Sequence, residues 1–205
     1  MVYIPNGEFI MGNPDDPRTE GGRHVLLKPY LIDRYEVTAE LFAASTQTGG
    51  GAPAKQGKGS RLPATQVTFQ EAETHCRKAD KRLPSEAEWE KAARGVDGRK
   101  WPWLVYVSHP NNGFSGFTPE DVDKRPEWVS PYGVYGMGYN VWEWVEDWYS
   151  FKDMPVSDEK KFKVLRGGLT QTHLTIQFSP TYYRNWMVPD AAYNFIGFRC
   201  ARDAG

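Results

Sequence analysis

Apolar and polar positions alternate with helical spacing in two stretches of the chain. In residues 68–79, Phe69, Ala72, Cys76 and Ala79 fall on one face, and Thr68 followed three positions later by Glu71 forms a capping box. In residues 85–94, Ser85 and Glu88 form the same box, acids crowd the first turn and Gly95 ends the helix. A further helix begins after Thr38, a suitable N-cap for Ala39-Glu40-Leu41-Phe42. The period changes to two over residues 140–149. There Val141, Glu143, Val145 and Asp147 alternate with Trp142, Trp144, Glu146 and Trp148, which predicts a strand buried on its Trp face. Residues 2–12 read as two short strands around an Asn6-Gly7 turn, hence a hairpin. Residues 24–33 read as one strand.

Elsewhere the pattern lapses. Residues 13–23 form a polar loop, and 96–131 are rich in Gly, Pro, Asn and aromatics, so little regular structure is expected there. Residues 49–61 are Gly-rich and basic, but they lack the G-x-x-x-x-G-K-[ST] spacing of a phosphate-cradling loop and read as flexible surface loop. No 20–50-residue repeat or long hydrophilic linker divides the 205 residues, which suffice for one sizeable core. Aromatics at 14%, eight of them Trp, predict a loop-rich globular unit pinned by large rings. A net charge of −1 offers no electrostatic attraction for nucleic acid or an anionic membrane. No apolar run approaches the roughly 20 residues of a membrane span. Residues 1–7 show no signal peptide, so a cytoplasmic location is the default expectation.

Candidate chemistry is sparse. The two cysteines, Cys76 and Cys200, are either buried free thiols or one disulfide tying the middle helix to the C-terminal strand. Four histidines, His24, His75, His109 and His173, stand in no triad order, and no G-x-S-x-G occurs. His75 reads as a packed or surface residue of its helix, and His173 as an adaptable polar contact rather than a general base. Glu86, Glu88 and Glu90 resemble paired carboxylates, but their place in the first turns of a helix is accounted for by the macrodipole.

The last forty residues have a regular frame around irregular contents. Val164 to Gly168 opens the stretch and Gly197 to Arg202 closes it. Residues 169–195 between them mix small, polar, aromatic and aliphatic side chains without helix or strand periodicity. Such a frame fits a recognition surface better than a catalytic one.

The blocks Ile-Pro-x-Gly-x-Phe-x-Met-Gly from Ile4, Asp-Arg-Tyr-Glu-Val-Thr from Asp33, Lys-Arg-Leu-Pro-Ser-Glu-Ala-Glu-Trp from Lys81, Asn-Val-Trp-Glu-Trp from Asn140, Leu-Arg-Gly-Gly from Leu165 and Gly-Phe-Arg-Cys-Ala from Gly197 run from end to end. Together they resemble the formylglycine-generating enzyme (sulfatase-modifying factor) family. The resemblance implies an α+β, C-type-lectin-like fold over residues 1–205, with two helices, a small twisted antiparallel sheet and long ordered loops. The family's enzyme oxidises a substrate cysteine with two copper-binding cysteines. Their positions fall at about Thr172 and Gln177 here, so that chemistry has no thiolate. Glu143 matches a calcium ligand of the family, but an upstream ligand falls on Gly136, and the loop around Asn111 and Asn112 lacks a partner acid. A structural Glu143, hydrogen-bonded to backbone, is therefore expected. The His-x-x-x-His-x-Glu motif of iron-dependent relatives is absent. Trp142, Trp144, Trp148 and Tyr149 are expected in the core rather than on a sugar platform. Cys76 and Cys200 sit where the family has a disulfide.

One branch of the family has an enzyme-like frame with an unrelated interior: the variable proteins of diversity-generating retroelements, whose C-terminal residues are diversified at template adenines. The chain looks like such a protein. The resemblance implies a non-catalytic ligand-binding protein with its variable region over about 165–202, contacting a protein or other macromolecule, and no cofactor or metal is expected. Arg166-Gly167-Gly168 and Ile196 to Arg199 would be the fixed frame, with Arg184, Pro189 and Asp190 as further posts. The candidate contact residues are Thr170, Thr172, His173, Thr175, Gln177, Tyr183, Asn185, Met187, Val188, Ala191, Ala192, Tyr193 and Phe195. Tyr183, Tyr193 and Phe195 would be anchors, and the polar residues adaptable contacts. An AAC or AAT codon changed at its adenines cannot become Met, Gln or Trp, so Met187, Gln171 and Gln177 need another origin and Trp186 reads as template-fixed. The alternatives are a metal-dependent oxidoreductase of the same fold, or a pseudo-enzyme scaffold.

Overall fold

The computed structural model describes residues 1–15, 22–45, 61–104, 118–151, 154–171 and 176–205, with backbone alone at 170, 171, 176 and 177. In chain order the elements are β1 (Val2–Ile4), β2 (Gly7–Met11), β3 (Arg23–Leu27), β4 (Tyr30–Ile32), α1 (Ala39–Ser45), α2 (Phe69–Lys78) and α3 (Glu86–Arg94). Then come β5 (Trp142–Trp148), β6 (Lys163–Gly167), β7 (Leu169–Gln171), β8 (Ile176–Phe178), β9 (Asn185–Met187), β10 (Ile196–Phe198) and β11 (Ala201–Asp203). The strands form a four-stranded sheet in the order β10-β5-β6-β9, a three-stranded sheet β1-β4-β11, and the pairs β2-β3 and β7-β8. Small sheets, few helices and long ordered connections make this an α+β, C-type-lectin-like arrangement. In two respects it departs from expectation. The helix predicted after Thr38 makes three α-helices among the described residues where the resemblance implied two, and β10 pairs with β5 in parallel, so the sheet is not wholly antiparallel.

Local signals hold where they are short-range. Thr68 and Ser85 cap α2 and α3 with both arms of the capping box, and Gly95 ends α3 at φ +71°. Thr38 Oγ1 accepts a hydrogen bond from Leu41 N at 3.3 Å at the start of α1. Phe69, Ala72 and Cys76 face the core, while Ala79, the C-cap, is exposed. The described parts of 96–131 contain no helix or strand; Trp103 and Trp128 there pack with Tyr139 and Phe178. The region 49–61 lies almost wholly outside the described residues.

The N-terminal hairpin does not form. β1 pairs with β4, whereas β2 pairs with β3, so the Asn6-Gly7 bend carries the chain from one sheet to another. Lys91 Nζ donates to Pro5 O and Gly7 O, both at 2.8 Å, and so satisfies a carbonyl on each side of the bend. The predicted strand 24–33 likewise divides at Lys28-Pro29, because proline has no N–H for a ladder.

β5 is the centre of the molecule. Its Trp142 and Trp144 pack in one core cluster with Phe69, Ala72 and Cys76 of α2, and its Val145 packs in another with Trp89, Ala92 and Ala93 of α3. Both faces are therefore buried as far as Val145, and not the Trp face alone. Beyond that point the strand emerges: Glu146 and Trp148 are exposed and Tyr149 is half-buried, so of the four aromatics expected in the core Trp148 leaves it and Tyr149 packs at its edge. The Cys76 and Cys200 side chains, on α2 and just before β11, are joined in a disulfide across a Cα–Cα distance of 5.5 Å.

Candidate functional site

The frame of the C-terminal stretch is built from α3 upward. Arg166 on β6 is fully buried and donates to Glu86 Oε1 at 2.9 Å, Glu90 Oε2 at 2.6 Å and Thr181 O at 2.6 Å. Arg184 grips the same acid, Nε to Glu86 Oε1 at 2.6 Å and Nη2 to Glu86 Oε2 at 3.1 Å. Glu86 and Glu90 therefore do more than complement a helix dipole. They are counter-ions for two arginines that come from the C-terminal stretch, and Glu90 also pairs with Arg94 at 2.8 Å.

Gly167 and Gly168 turn the chain out of β6 at φ +74° and +70°. An added Cβ would lie 2.8 Å from the Trp89 ring at Gly167 and 2.6 Å from the Trp142 ring at Gly168. Only glycine allows both the left-handed backbone and that approach to the two rings. Trp142 Nε1 then donates to Leu169 O at 3.2 Å, fixing the start of β7.

On this frame the interior is more regular than its sequence implies. The described part of 169–187 contains three short strands, with β7 and β8 as an antiparallel pair and β9 at the edge of the main sheet against β6. Thr172, His173 and Thr175 lie outside the described residues, and at Thr170 and Gln177 only the strand backbone is described. Tyr183, Met187 and Phe195 are half-buried and pack against the main core, with Tyr183 next to the Trp142 ring at 6.1 Å. Asn185, Val188 and Ala191 are half-buried too, whereas Ala192 and Tyr193 are exposed. Tyr193 stacks on Phe195 with ring centroids 5.2 Å apart. The backbone of this segment is tied to the start of α2 through Phe69 N to Pro189 O, 2.9 Å, and Gln66 N to Tyr193 O, 3.0 Å.

Trp186, read from its codon as template-fixed, is 43% exposed at the centre of β9. Phe162 at 4.5 Å and Tyr149 at 5.9 Å flank it, both from outside the C-terminal stretch. Nothing in the linear sequence joins these three rings.

The metals of the family do not fit the residues present. Copper needs thiolates, and the chain's only two cysteines are in the disulfide. At the calcium position, Glu143 is bonded not to backbone but to side chains: Arg199 Nε and Nη2 at 2.7 Å each and Trp89 Nε1 at 2.9 Å. Asn140 is spent on Glu36 and on the backbone of Glu120. The space beside Gly136 is filled by the Glu36 carboxyl. A guanidinium stands where a cation's charge would be needed. Among the described residues no group of three or more His, Cys, Asp or Glu side chains converges to hold a metal.

The Sulfatase-modifying factor enzyme 1-like domain matches residues 1–204. The chain belongs to this family. A formylglycine-generating enzyme of Thermomonospora curvata is 30% identical over 99% of the chain and 93% of its own length. An inactive C-alpha-formylglycine-generating enzyme 2 of Mus musculus is 29% identical over 100% of the chain and 86% of its own length. The chain is also 29% identical to the serine/threonine-protein kinase pkn1 of Chlamydia caviae, of which it spans 38%. Among solved structures, Treponema denticola variable protein 1 superposes with a TM-score of 0.77 at 23% identity, covering 100% of this chain and 95% of that one. PvdO from Pseudomonas aeruginosa superposes with a TM-score of 0.73 at 27% identity, covering 99% and 94%. The fold of this sulfatase-modifying-factor relative is thus shared by chains named as active, inactive and variable. No helix among its described residues is long and apolar enough to cross a membrane.

Proposed function

We propose that the chain is a non-catalytic binding protein whose residues 165–202 form a diversified ligand-binding face on a single domain, in the manner of a retroelement variable protein. The observation that carries this reading is the division of the C-terminal stretch. Arg166, Gly167, Gly168 and Arg184 are committed to the interior, while Trp186, Ala192 and Tyr193 face solvent. Substitutions at exposed positions of such a face cost little stability. Support also comes from the disulfide, which leaves no thiol for cysteine oxidation, and from the fold shared with a protein named as variable. The ligand is a macromolecule held by rigid aromatic anchors and adaptable polar residues.

Sequencing the DNA beyond the 3′ end of the coding region tests this directly. The expected result is a near-copy of the last codons beside a reverse-transcriptase gene, with differences concentrated where the copy has adenines. Those differences should fall at codons 170–195 and spare Arg166, Gly167, Gly168 and Arg184. If no such copy exists, or if the differences fall on the frame, the reading is wrong. A second reading, a pseudo-enzyme module within a larger protein, draws support from the kinases of which the chain spans 38%. It predicts a binding surface outside 165–202.

A further inference from the structure

At the other end of α2 from the C-terminal face, a cavity of about 450 Å³ opens between α1, the last turn of α2 and the segment 33–38. That volume is typical of a small-molecule site. Val37, Leu41 and Ala79 give it an apolar wall.

Three cationic side chains border the cavity, and two are already matched. Lys81 Nζ lies 2.7 Å from Asp33 Oδ1, and Arg61 Nη1 lies 3.0 Å from Asp123 Oδ2 with its guanidinium over the Tyr35 ring. Arg34 is exposed and forms no ion pair among the described residues. The remaining acid, Glu36, has its carboxyl wholly buried beside Arg199 and Asn140. Arg34 is therefore the one cationic side chain of the lining without an ion pair among the described residues.

His75 adds an acceptor. Ser45 Oγ lies 2.7 Å from Phe42 O and 2.6 Å from His75 Nδ1; with the hydroxyl proton given to the carbonyl, the ring proton sits on Nδ1. Nε2 then carries the lone pair. Burial lowers the pKa of the imidazole below its ordinary 6.5, which keeps that lone pair available at neutral pH.

We propose that this cavity is a second binding site, for a small organic monocarboxylate that also carries a hydroxyl: Arg34 takes the carboxylate, Val37 and Leu41 the apolar body, and His75 Nε2 the hydroxyl proton. A guanidinium matches a carboxylate in charge and in planar geometry. The site does not depend on the reading of the C-terminal face. His75 lies six residues, about 9 Å along α2, from Phe69, whose N–H anchors that face.

The test is a titration of the ¹⁵N-labelled full chain with 4-hydroxybenzoate, benzoate and 4-hydroxybenzyl alcohol, followed by amide chemical shifts. Saturable shifts confined to the cavity lining, Met1, Arg61 and residues 33–41 and 75–81, are expected. 4-Hydroxybenzoate should bind about tenfold more tightly than either probe lacking one polar group. Arg34→Ala should bring 4-hydroxybenzoate down to the affinity of the alcohol and leave the alcohol unchanged. His75→Phe should bring it down to the affinity of benzoate. Arg34 is exposed, so R34A tests the site even if H75F fails to fold. Equal affinities for the three probes, shifts elsewhere on the chain, or no saturable shift would overturn the proposal.

Discussion

Arg199 stands between two carboxylates with charge enough for one. Glu143 takes both of its near nitrogens, while Glu36 Oε2 lies 3.8 Å away with no hydrogen-bond partner. Burial, opposed by Arg199 and reinforced by the charge of Glu143, pushes the Glu36 carboxyl from 4.5 up to about 7. The folded state thus holds a proton that the unfolded chain releases at lower pH. Stability from this group is complete below pH 4.5 and declines as pH rises towards 7, by something on the order of 3 kcal/mol. Asp97 and Glu120 are shifted the other way, held down by Arg99 and Arg125, and stay ionised across that window. Glu36→Gln should therefore remove the decline. Urea denaturation at pH 5, 6, 7 and 8 should show the variant gaining on the parent as pH rises; parallel curves would refute the assignment.

At the scale of elements, α3 ties the N-terminal strands to the C-terminal stretch. Lys91 holds the bend between β1 and β2, Arg94 takes Ile10 O and Gly12 O, and Glu86 and Glu90 receive Arg166 and Arg184. Charges this deeply buried are tolerated because each has a partner, and removing one partner is far costlier than never having had the pair. Glu86→Gln takes the Glu86 charge from Arg184 and leaves Arg166 to share Glu90 with Arg94. It should cost about 3 kcal/mol in chemical denaturation. Hydrogen exchange should accelerate most at the 181–187 amides, which Arg184 anchors, and least in α2. Uniform acceleration over all elements would mean that the pair stabilises the whole fold without positioning that segment.

At the scale of the molecule, the disulfide links α2 to the approach to β11 across 124 positions of sequence. A closure that long removes much of the unfolded chain's freedom, so replacing both cysteines with serine should cost roughly 4–5 kcal/mol and lower Tm accordingly. Both cysteines are buried, with exposures of 0% and 1%, so mild reductant should act slowly on the native protein and quickly in urea. Rapid native-state reduction would show that α2 opens locally. The two candidate binding regions sit at opposite ends of this helix, and only the pocket end carries the bridge.

What the sequence determined by itself was local or ordered. The caps at Thr68 and Ser85 and the stop at Gly95 were legible because their partners lie within one helical turn. The family was legible because its blocks keep their order from Ile4 to Ala201. Tertiary structure alone decided the rest, since the deciding partners are remote. Burial of both faces of β5 depends on α2 and α3, and the roles of Glu86 and Glu90 depend on arginines 76 or more positions away. The Asn6-Gly7 bend changes sheets because Lys91 reaches it, and the choice between two thiols and a bridge rested on bringing Cys76 and Cys200 together. Within the candidate face, three-residue strands are too short for periodicity to assign a side. Packing alone therefore turned Tyr183, Met187 and Phe195 towards the core and left Trp186 and Tyr193 in solvent.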